Sequence, residues 1–572
     1  MQACVLEGGS GVLFKSPRAW LRLSPPSRHG GPIPLTFAVG KPLEIDCFPR
    51  WKTYDGCIGL LQCRTNTLVL LGSGHRQWAG DDKPSVLDSC ETFALSDEDG
   101  GALVAQAGDL AQILTDGSFF YSRNIDYSLR LSRRKAQRSQ LKQVAFQPLA
   151  RDGSQPEEAA TRLSIAGPHV WNSFMLEPFF ALGETLAGSE RTILYEDFLL
   201  PLVRGFFGVE HVRHGPVTLE VHIISRRDWH REGTRFAKRG IDADGNVAAF
   251  AETEFQLRVL PSANTLEQTV SFVQVRGSVP AYWTEKPREY GALRVKISKN
   301  AVNESLDPFE RHLRHLAAEY GPVHAMAYLH GPYHGLLDAE AHLLQVYKQL
   351  VEEVQRSPDS LAGQITLDPI GLNPKNPKLI PDEIGGMADE FLDQSGWTHV
   401  AGDARGPHAE LVREQNGVLR INCRDCCDRT NLAQFSCSAE ALRQILLELK
   451  LPPLESGSEL DRAHRHLWAE NGDMLSGIYT GRPSMTSTFI RTGQVTHLDE
   501  LHNKENSFLR LKQALWHDPR KNCATEILTG EHAPMLGRRC EHAGLLVPDE
   551  TLTPIRLQRV FGAAHSSTGV GG

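Results

Sequence analysis

A short polar segment near residue 425 contains residue types that can transfer a phosphoryl group. Cys423 opens the segment, and Arg429 follows it after five intervening residues. A thiolate can attack phosphorus, while a guanidinium at the other end of such a loop can bind two oxygens of the same phosphate. The loop N–H groups and the arginine also favour the thiolate form of the cysteine. We therefore predict that Cys423 is a nucleophile and that Arg429 binds phosphate.

The residues on either side of this segment predict the elements that position it. Residues 418–422 alternate in the manner of a strand, and apolar side chains recur every three or four positions from Leu432 to Leu446, as on one face of a helix. A loop that leads from a strand into the start of a helix gathers unpaired N–H groups and the positive end of the helix dipole. The sequence thus predicts a strand–loop–helix phosphate-binding loop.

The spacing alone is weak evidence, because it occurs a second time. Cys437 and Arg443 are also separated by five residues, but both lie in the predicted helix, where no loop gathers N–H groups. We interpret this second pair as a coincidence. The cluster of Cys423, Cys426 and Cys427 suggests zinc, but no second Cys-x-x-C pair or suitably spaced His pair follows it, so we predict no metal and no cofactor.

The composition restricts the classes of protein to consider. The chain has 572 residues, 41% of them hydrophobic and 23% charged, which is typical of a globular protein with several domains. Its net charge of −8 gives no reason to expect nucleic acid as a partner. Eleven scattered cysteines favour a reducing compartment over a disulfide framework, and no window of about 18 residues is apolar enough to span a membrane. We expect a cytoplasmic protein without a transmembrane segment.

The order of the predicted elements indicates an α/β protein with three parts. Strand-like runs fill the first third and recur between residues 217 and 277, and helical periodicity then appears at 309–320 and 339–354. The chain becomes polar and aperiodic after residue 515. We predict a β-rich N-terminal subdomain at residues 1–185, an α/β catalytic domain at 186–515 and a loosely ordered polar tail at 516–572.

One longer motif resembles a known family. Residues 420–431 read RINCRDCCDRTN and closely resemble the motif R-x-N-C-x-D-C-x-D-R-T-N of the Sac-domain phosphoinositide phosphatases. Segments similar to other blocks of this family occur in the family's order at residues 119–129, 171–179, 201–208, 224–254, 271–283 and 467–481. The resemblance implies a β-rich Sac subdomain followed by a cysteine-phosphatase catalytic domain. It also implies metal-independent hydrolysis of an inositol-ring phosphate of a phosphoinositide, through a phosphocysteine intermediate.

The resemblance also implies a role for each residue of the motif. Cys423 attacks and Arg429 holds the phosphate, while Asp425 or Asp428 protonates the leaving oxygen. Repulsion between a bound phosphate and a neighbouring carboxylate raises the pKa of the carboxyl group, as a proton donor requires. Either aspartate qualifies on this ground, and we favour Asp425. Thr430 either assists the release of phosphate from sulfur or only caps the helix.

Three further residues of the motif are expected to contribute to substrate binding. They are Arg424, Asn422 and Asn431. We expect the two asparagines to do so by tying the ends of the loop together.

The chain departs from the family pattern at several positions. Cys427 replaces an apolar residue, Ala249 an asparagine, Ile478 a glutamine and Thr486 a lysine, and residues 367–370 read LDPI where the family has Phe-Asp-x-His. Loss of a lysine near a phosphate site is expected to weaken binding or to change the preferred phosphate. Two alternatives therefore stay open, a catalytically weak phosphoinositide-binding scaffold and a phosphatase of soluble inositol phosphates.

The resemblance also implies the substrate and the membrane. Phosphatidylinositol 4-phosphate is our first choice, with the 3-phosphate and the 3,5-bisphosphate as alternatives. A lipid substrate requires an anionic membrane surface as a partner, and we expect peripheral association with the endoplasmic reticulum, the Golgi or endosomes. Arg133, Arg134 and Lys135 lie in a basic cluster on a predicted helix and are our docking candidates, the alternative being a solvated face. The basic segment 226–239 either approaches lipid or pairs its arginines within the protein.

Overall fold

The structure is a computed structural model of the chain. It describes residues 1–5, 11–26, 32–40, 51–63, 66–95, 107–136, 167–262, 265–287, 293–329, 339–357, 361, 363–370, 380–404, 409–494, 497–531 and 557–559.

The strands are numbered here in chain order. They are β1 Gln2–Val5, β2 Val12–Lys15, β3 Ala19–Leu23, β4 Ile33–Val39, β5 Lys52–Thr53, β6 Gly56–Cys63, β7 Asn66–Arg76, β8 Ser85–Leu95, β9 Phe119–Tyr121, β10 Val203–His214, β11 Val217–Arg227, β12 Ala251–Val259, β13 Gln268–Arg276, β14 Trp283–Pro287, β15 Leu293–Ile297, β16 Val323–Ala327, β17 Ile365–Pro369, β18 Thr398–Ala401, β19 Glu410–Arg413, β20 Val418–Asn422 and β21 Leu557–Arg559.

The helices are numbered in the same way. They are α1 Gly108–Leu114, α2 Ser173–Gly183, α3 Gly188–Ile193, which continues into a π-helical turn at Leu194–Phe198, α4 Ala301–Tyr320, α5 Ala339–Arg356, α6 Ile380–Ser395, α7 Asp428–Glu448, α8 Glu459–Thr480, α9 Ser487–Thr492, α10 His497–Trp516 and α11 Asp518–Thr529. No helix in the described part of the chain combines the length and the apolar character that crossing a bilayer requires.

A mixed sheet of thirteen strands forms the centre of the molecule. Its main path runs β17-β16-β20-β13-β12-β11-β10-β9-β8-β7-β6, and β18 and β19 extend it beside β13. Strand β20 is parallel to both neighbours, β16 and β13, whereas β10 to β13 form an antiparallel meander. The five residues of β20 are all buried, as expected for a strand that helices cover on both faces. The sheet and its helices confirm the predicted α/β fold class.

Helices α7 and α8 pack on this sheet and fix the end of β20. Helix α8 begins at the N-cap Ser458, whose hydroxyl accepts a hydrogen bond from the Asp461 N–H, and it ends at Gly481, which has a left-handed φ of 71°. Trp468 of α8 is fully buried in the same apolar cluster as Ile421 and Leu442. This packing holds the start of α7 against the carboxyl end of β20.

The sheet is continuous across the predicted domain boundary at residue 185. A separate six-stranded sheet, β21-β4-β3-β2-β1-β5, combines five strands from the first part of the chain with β21 at Leu557–Arg559. Strands β6 to β9 instead join the central sheet through the pairing of β9 with β10. The domain limits therefore stay predictions.

The C-terminal region differs from the predicted polar tail at α11. Cys523, Ala524, Ile527 and Leu528 recur on one face of that helix and are buried in a cluster that includes Trp171. The prediction was wrong there because four apolar side chains suffice to bury one face of a short helix in an otherwise polar sequence. Most of residues 532–572 lie outside the described residues.

Candidate active site

The segment that carries Cys423 lies between a strand and a helix, as the sequence predicted. Strand β20 ends at Asn422, Cys423 follows at once, and α7 begins at Asp428. Cys423 is buried. Cys427 is the N-cap residue of α7, and its side chain makes no capping hydrogen bond. The first backbone N–H groups of the helix therefore have no acceptor in the cap side chain.

The loop turns sharply at Cys426. This residue has a φ of 51°, in the left-handed region that non-glycine residues adopt at a cost of about 1–2 kcal/mol. Its thiol donates a hydrogen bond to the carbonyl oxygen of Gly277, 2.7 Å away, which helps to hold the turn. Burial raises the pKa of Cys426 to about 12. Cys426 is therefore a neutral donor that shapes the loop.

Arg429 binds a carboxylate within the protein. Its two terminal nitrogens lie 2.9 Å from the two oxygens of Glu340, which belongs to the first turn of α5. Burial opposes the charge of Arg429, but Cys423 and Glu340 outweigh it and raise the pKa of the guanidinium. Arg429 thus makes the two-point contact with a carboxylate that the sequence predicted it would make with phosphate.

Asp425 is enclosed by arginines. Its carboxylate lies 2.8 Å from Arg235, and it also accepts a hydrogen bond from Arg239. Burial alone would raise the pKa of Asp425, but Arg235, Arg239 and Arg424 hold it well below the usual range. Without a bound phosphate, the pKa of Asp425 is therefore lowered, because arginines distant in sequence converge on this carboxylate. The role of Asp425 as proton donor stays a prediction.

Asp428 fastens the start of α7 to the C-terminal helices. Its carboxylate accepts hydrogen bonds from Arg510 at 2.7 and 3.1 Å, from the Ser484 hydroxyl at 3.0 Å and from the Met485 N–H at 2.8 Å. The hydroxyl of Thr486, one of the departures from the family pattern, donates to the Asp428 carbonyl oxygen at 3.2 Å. The carboxylate of Asp428 is thus occupied by structural contacts.

Several charged residues of the site were missed by sequence reasoning. Glu285 is fully buried and accepts hydrogen bonds from both Arg239 and Arg424. Phe236 and Trp283 lie 6.0 and 5.2 Å from the Arg239 guanidinium. The sequence did contain one sign of these contacts, the basic segment 226–239. Of the two interpretations of that segment, pairing of its arginines within the protein is the one that holds for the arginines beside the loop.

Thr430 and the two asparagines are buried around the loop. Thr430 stands inside α7, so it is not the helix cap, and its hydroxyl has no hydrogen-bond partner among the described residues. Asn422 accepts from Arg420 at 3.2 Å, and Asn431 donates to the Trp468 carbonyl oxygen at 2.9 Å. Each asparagine is thus held by its own neighbours, and no hydrogen bond joins the two.

A set of buried donors near the loop has no acceptor within the described part of the chain. An unsatisfied buried polar group costs about 1–3 kcal/mol, so these donors are available to water or to a ligand that accepts hydrogen bonds. The donor atoms are Asn422 Nδ2, Thr430 Oγ1, Arg276 Nη1, Arg235 Nε, Arg239 Nε and Arg424 Nε.

Ala249 and Ile478, two other departures from the family pattern, are buried. Ala249 has a φ of 56° and packs with Cys426, Cys427 and Tyr479 behind the loop. Asparagine tolerates this backbone region better than alanine does, so the substitution leaves backbone strain beside the loop.

The three docking candidates contact other parts of the protein. They lie in a short helical segment at residues 131–136. Arg133 forms a 2.6 Å ion pair with Glu319, the Arg134 guanidinium lies 5.5 Å from the Tyr127 ring, and Lys135 donates to a backbone carbonyl oxygen. These contacts do not favour a free cationic face, because Glu319 neutralises part of the charge.

The second cysteine–arginine pair lies within α7, as predicted. Cys437 is fully buried in the middle of this helix. The structure groups no three His, Cys, Asp or Glu side chains into a metal-binding arrangement within the ranges that it describes.

Comparisons with known proteins identify the family. A family model described as the SacI homology domain matches residues 55–369, more than half of the chain, which include Arg235, Arg239, Glu285 and Glu340 and end before the Cys423 loop. Inositol-1,4,5-trisphosphate 5-phosphatase 1 of Schizosaccharomyces pombe is 29% identical over 431 residues, which cover 74% of this chain and 35% of that protein.

Two further relatives cover similar parts of the chain. Polyphosphatidylinositol phosphatase INP53 of Saccharomyces cerevisiae is 29% identical over 440 residues, which cover 74% of this chain and 35% of that protein. For phosphatidylinositol-3-phosphatase SAC1 of the same yeast, the identity is 27% over 375 residues, which cover 64% of this chain and 56% of that protein. This chain therefore spans 35–56% of the length of these three relatives. The match over more than half of its residues shows that the chain belongs to the SacI homology domain family.

Proposed function

We propose that the protein removes a phosphate monoester from the inositol ring of a phosphoinositide through a phosphocysteine at Cys423. The observation that carries this proposal is the set of unsatisfied buried donors around Cys423, beside the two-point contact of Arg429 with a carboxylate. All three relatives bear names of inositol-phosphate or phosphoinositide phosphatases. Two of the names give a ring position, and the two positions differ. Phosphatidylinositol 4-phosphate stays our first choice of substrate, with the 3-phosphate and the 3,5-bisphosphate as alternatives.

Substrate binding displaces Glu340 in this proposal. A phosphate that enters the loop accepts hydrogen bonds from both terminal nitrogens of Arg429 and from the free N–H groups at the start of α7. The Glu340 carboxylate then lies beside a dianion, and like-charge repulsion favours its protonated form. The arginine cluster around Asp425 faces the same loop and adds to the attraction for an anion.

The chemistry has two steps. The Cys423 thiolate attacks phosphorus, the bond between phosphorus and the ring oxygen breaks, and the ring oxygen takes a proton. We propose Glu340 as the proton donor, because Asp425 is held ionised and Asp428 is occupied by structural contacts. Glu340 then accepts a proton from the water that attacks phosphorus, which releases phosphate and regenerates the thiolate.

The test is phosphate release from a panel of short-chain phosphoinositides in the presence of EDTA. Wild-type protein is compared with Cys423→Ser. We expect release that survives EDTA and is lost in the variant, because the thiolate and Arg429 supply the nucleophile and the charge stabilisation. Release that requires a metal, or that is equal in the variant, would contradict the proposal.

The same panel tests the two alternative functions. Thr486 contacts α7 where the family has a lysine, which is the observation that favours a weak phosphoinositide-binding scaffold. Vesicle binding without release from any lipid would support that alternative. Release from soluble inositol phosphates but not from lipids would support the other alternative. Peripheral association with endomembranes is part of the main proposal.

A further inference from the structure

Helix α10 exposes a row of large apolar side chains. Leu501, Phe508, Leu515 and Trp516 are 61%, 67%, 48% and 66% exposed, and they are four of the nine exposed large apolar residues in the described ranges. The first three are spaced by seven residues, which places them on one face of the helix. Single exposed apolar residues are common, whereas several on one face of one helix indicate a surface that binds something.

The opposite face of α10 is polar and faces the protein. Asn503 donates to the Met485 carbonyl oxygen at 3.2 Å, and Ser507 lies 3.5 Å from the Met485 sulfur. Arg510 is buried and donates to Asp428 at 2.7 Å. Polar contacts therefore orient this helix and direct its apolar face outward, beside the helix that begins at the candidate active site.

The exposed charges on this face distinguish between two possible binding partners, a second helix and a lipid bilayer. Among residues 501–516, whose side chains the structure describes, Lys504, Lys512 and one acid, Glu505, are exposed. Each lies three or four positions from at least two of the apolar residues, so the charges lie on the same face as the apolar row. A second helix in a coiled coil requires apolar residues at both the a and the d positions. With Leu501, Phe508 and Leu515 at a, the d positions are Lys504 and Leu511, so only one of the two is apolar. An apolar row that lysines interrupt and an aromatic residue ends matches the interfacial region of an anionic bilayer.

We propose that the α10 face formed by Leu501, Phe508, Leu515 and Trp516 docks on the surface of an anionic lipid bilayer. The apolar side chains enter the headgroup region, and the two lysines contact the lipid phosphates. Arg510 links this helix to Asp428, so docking places the candidate active site next to the bilayer that holds the substrate. This last consequence rests on the proposed function, whereas the docking itself does not.

The experiment measures binding to phosphatidylcholine vesicles with and without phosphatidylserine. The double variant Phe508→Gln/Leu515→Gln is compared with Leu447→Gln, which removes an 80% exposed leucine on α7. All proteins carry Cys423→Ser, so that binding is measured without turnover. Because the Phe508 and Leu515 side chains leave water when they enter the headgroup region, we expect the double variant to bind anionic vesicles at least about tenfold more weakly, and the control to bind normally.

Turnover measurements separate docking from catalysis. With an active Cys423, the double variant is expected to hydrolyse monomeric short-chain substrate at the wild-type rate and vesicle substrate more slowly. If neither the wild type nor the double variant hydrolyses any substrate, the proposed function is refuted, while the vesicle-binding result still tests the docking proposal.

Two results would overturn the docking proposal. One is equal vesicle binding by the double variant and the control. The other is a wild-type dimer in sedimentation velocity that the double variant dissociates, which would assign the face to a second copy of the chain. The single variant Leu501→Gln provides the same comparison if the double variant does not fold.

Discussion

Two cysteine–arginine pairs with the same spacing occupy opposite environments. Cys423 lies in a loop between a strand and a helix, and Arg429 is mostly buried and binds Glu340. Cys437 lies inside α7, where burial holds the pKa of its thiol well above the usual range, and Arg443 is exposed and binds Glu440 one turn away at 2.6 Å. The contrast shows that one spacing occurs in two unlike environments, a loop between a strand and a helix for Cys423 and the middle of a helix for Cys437.

The largest expected effect separates the two cysteines. In the short-chain phosphoinositide assay, Cys423→Ser should reduce turnover by more than about 10³-fold, because it removes the nucleophile. Cys437→Ser should leave turnover within about threefold of the wild type, because the helix around Cys437 already pairs the backbone donors. Similar losses in both variants would show that the loop environment does not distinguish them.

The second prediction compares the two arginines. Arg429→Lys should reduce turnover about 10²-fold, because an ammonium group cannot reproduce the planar two-point contact with phosphate oxygens. Arg443→Lys should have almost no effect, since the exposed Arg443 side chain lies on the surface of α7, where it hydrogen-bonds to Glu440. Rate constants at saturating substrate provide the measurement. Full activity of Arg429→Lys would mean that Arg429 contributes only charge.

The third prediction tests the proton donor with two leaving groups. Glu340→Gln should slow release from an inositol phosphate about 10²-fold, because the poor leaving group requires a proton. The same variant should barely slow the hydrolysis of 4-nitrophenyl phosphate, because that leaving group departs without being protonated.

Asp425→Asn is the comparison, because it removes a carboxylate that holds the loop arginines in place. It should slow both substrates equally. If Asp425→Asn or Asp428→Asn shows the leaving-group dependence instead, that aspartate is the donor and Glu340 is only the group that phosphate displaces.

The smallest expected effect concerns the helix around Cys437. His464 is fully buried next to α7 and lies 2.9 Å from the Ser438 hydroxyl, and burial lowers its pKa to about 3. The unfolded chain takes up this proton near pH 6.5 and the folded protein does not, so stability is present above that pH and falls below it by at most about 1.4 kcal/mol per pH unit. His464→Gln should reduce this slope in denaturant titrations between pH 7 and pH 5. An unchanged slope would show that His464 does not account for it.

The sequence predicted the local part of the site and missed the distant part. The strand before Cys423 and the helix after it follow from periodicity within one short segment. The arginines around Asp425 come from residues 235–239, and Glu340 comes from the start of α5, so only the folded sheet brings them to the loop. The lowered pKa of Asp425 was not visible in the sequence for this reason, since the pKa of a carboxyl group depends on charges that spacing does not reveal.

On the outer surface, too, the sequence did not predict which side chains the fold brings into contact. The lysine and arginines at residues 133–135 form a basic cluster in the sequence, but the fold supplies them with Glu319, Tyr127 and a carbonyl oxygen. The apolar row on α10 has a seven-residue spacing that is visible in the sequence. Only the structure shows that the face opposite this row is the one that contacts the protein.

Identification of the phosphorylated residue during turnover tests the central claim most directly. The protein is mixed with a short-chain phosphoinositide, quenched in acid at early times, digested and analysed by mass spectrometry. The account predicts a phosphate on Cys423 that forms and decays at rates compatible with turnover. Turnover with no phosphorylated Cys423, or with the phosphate on another residue, would contradict it.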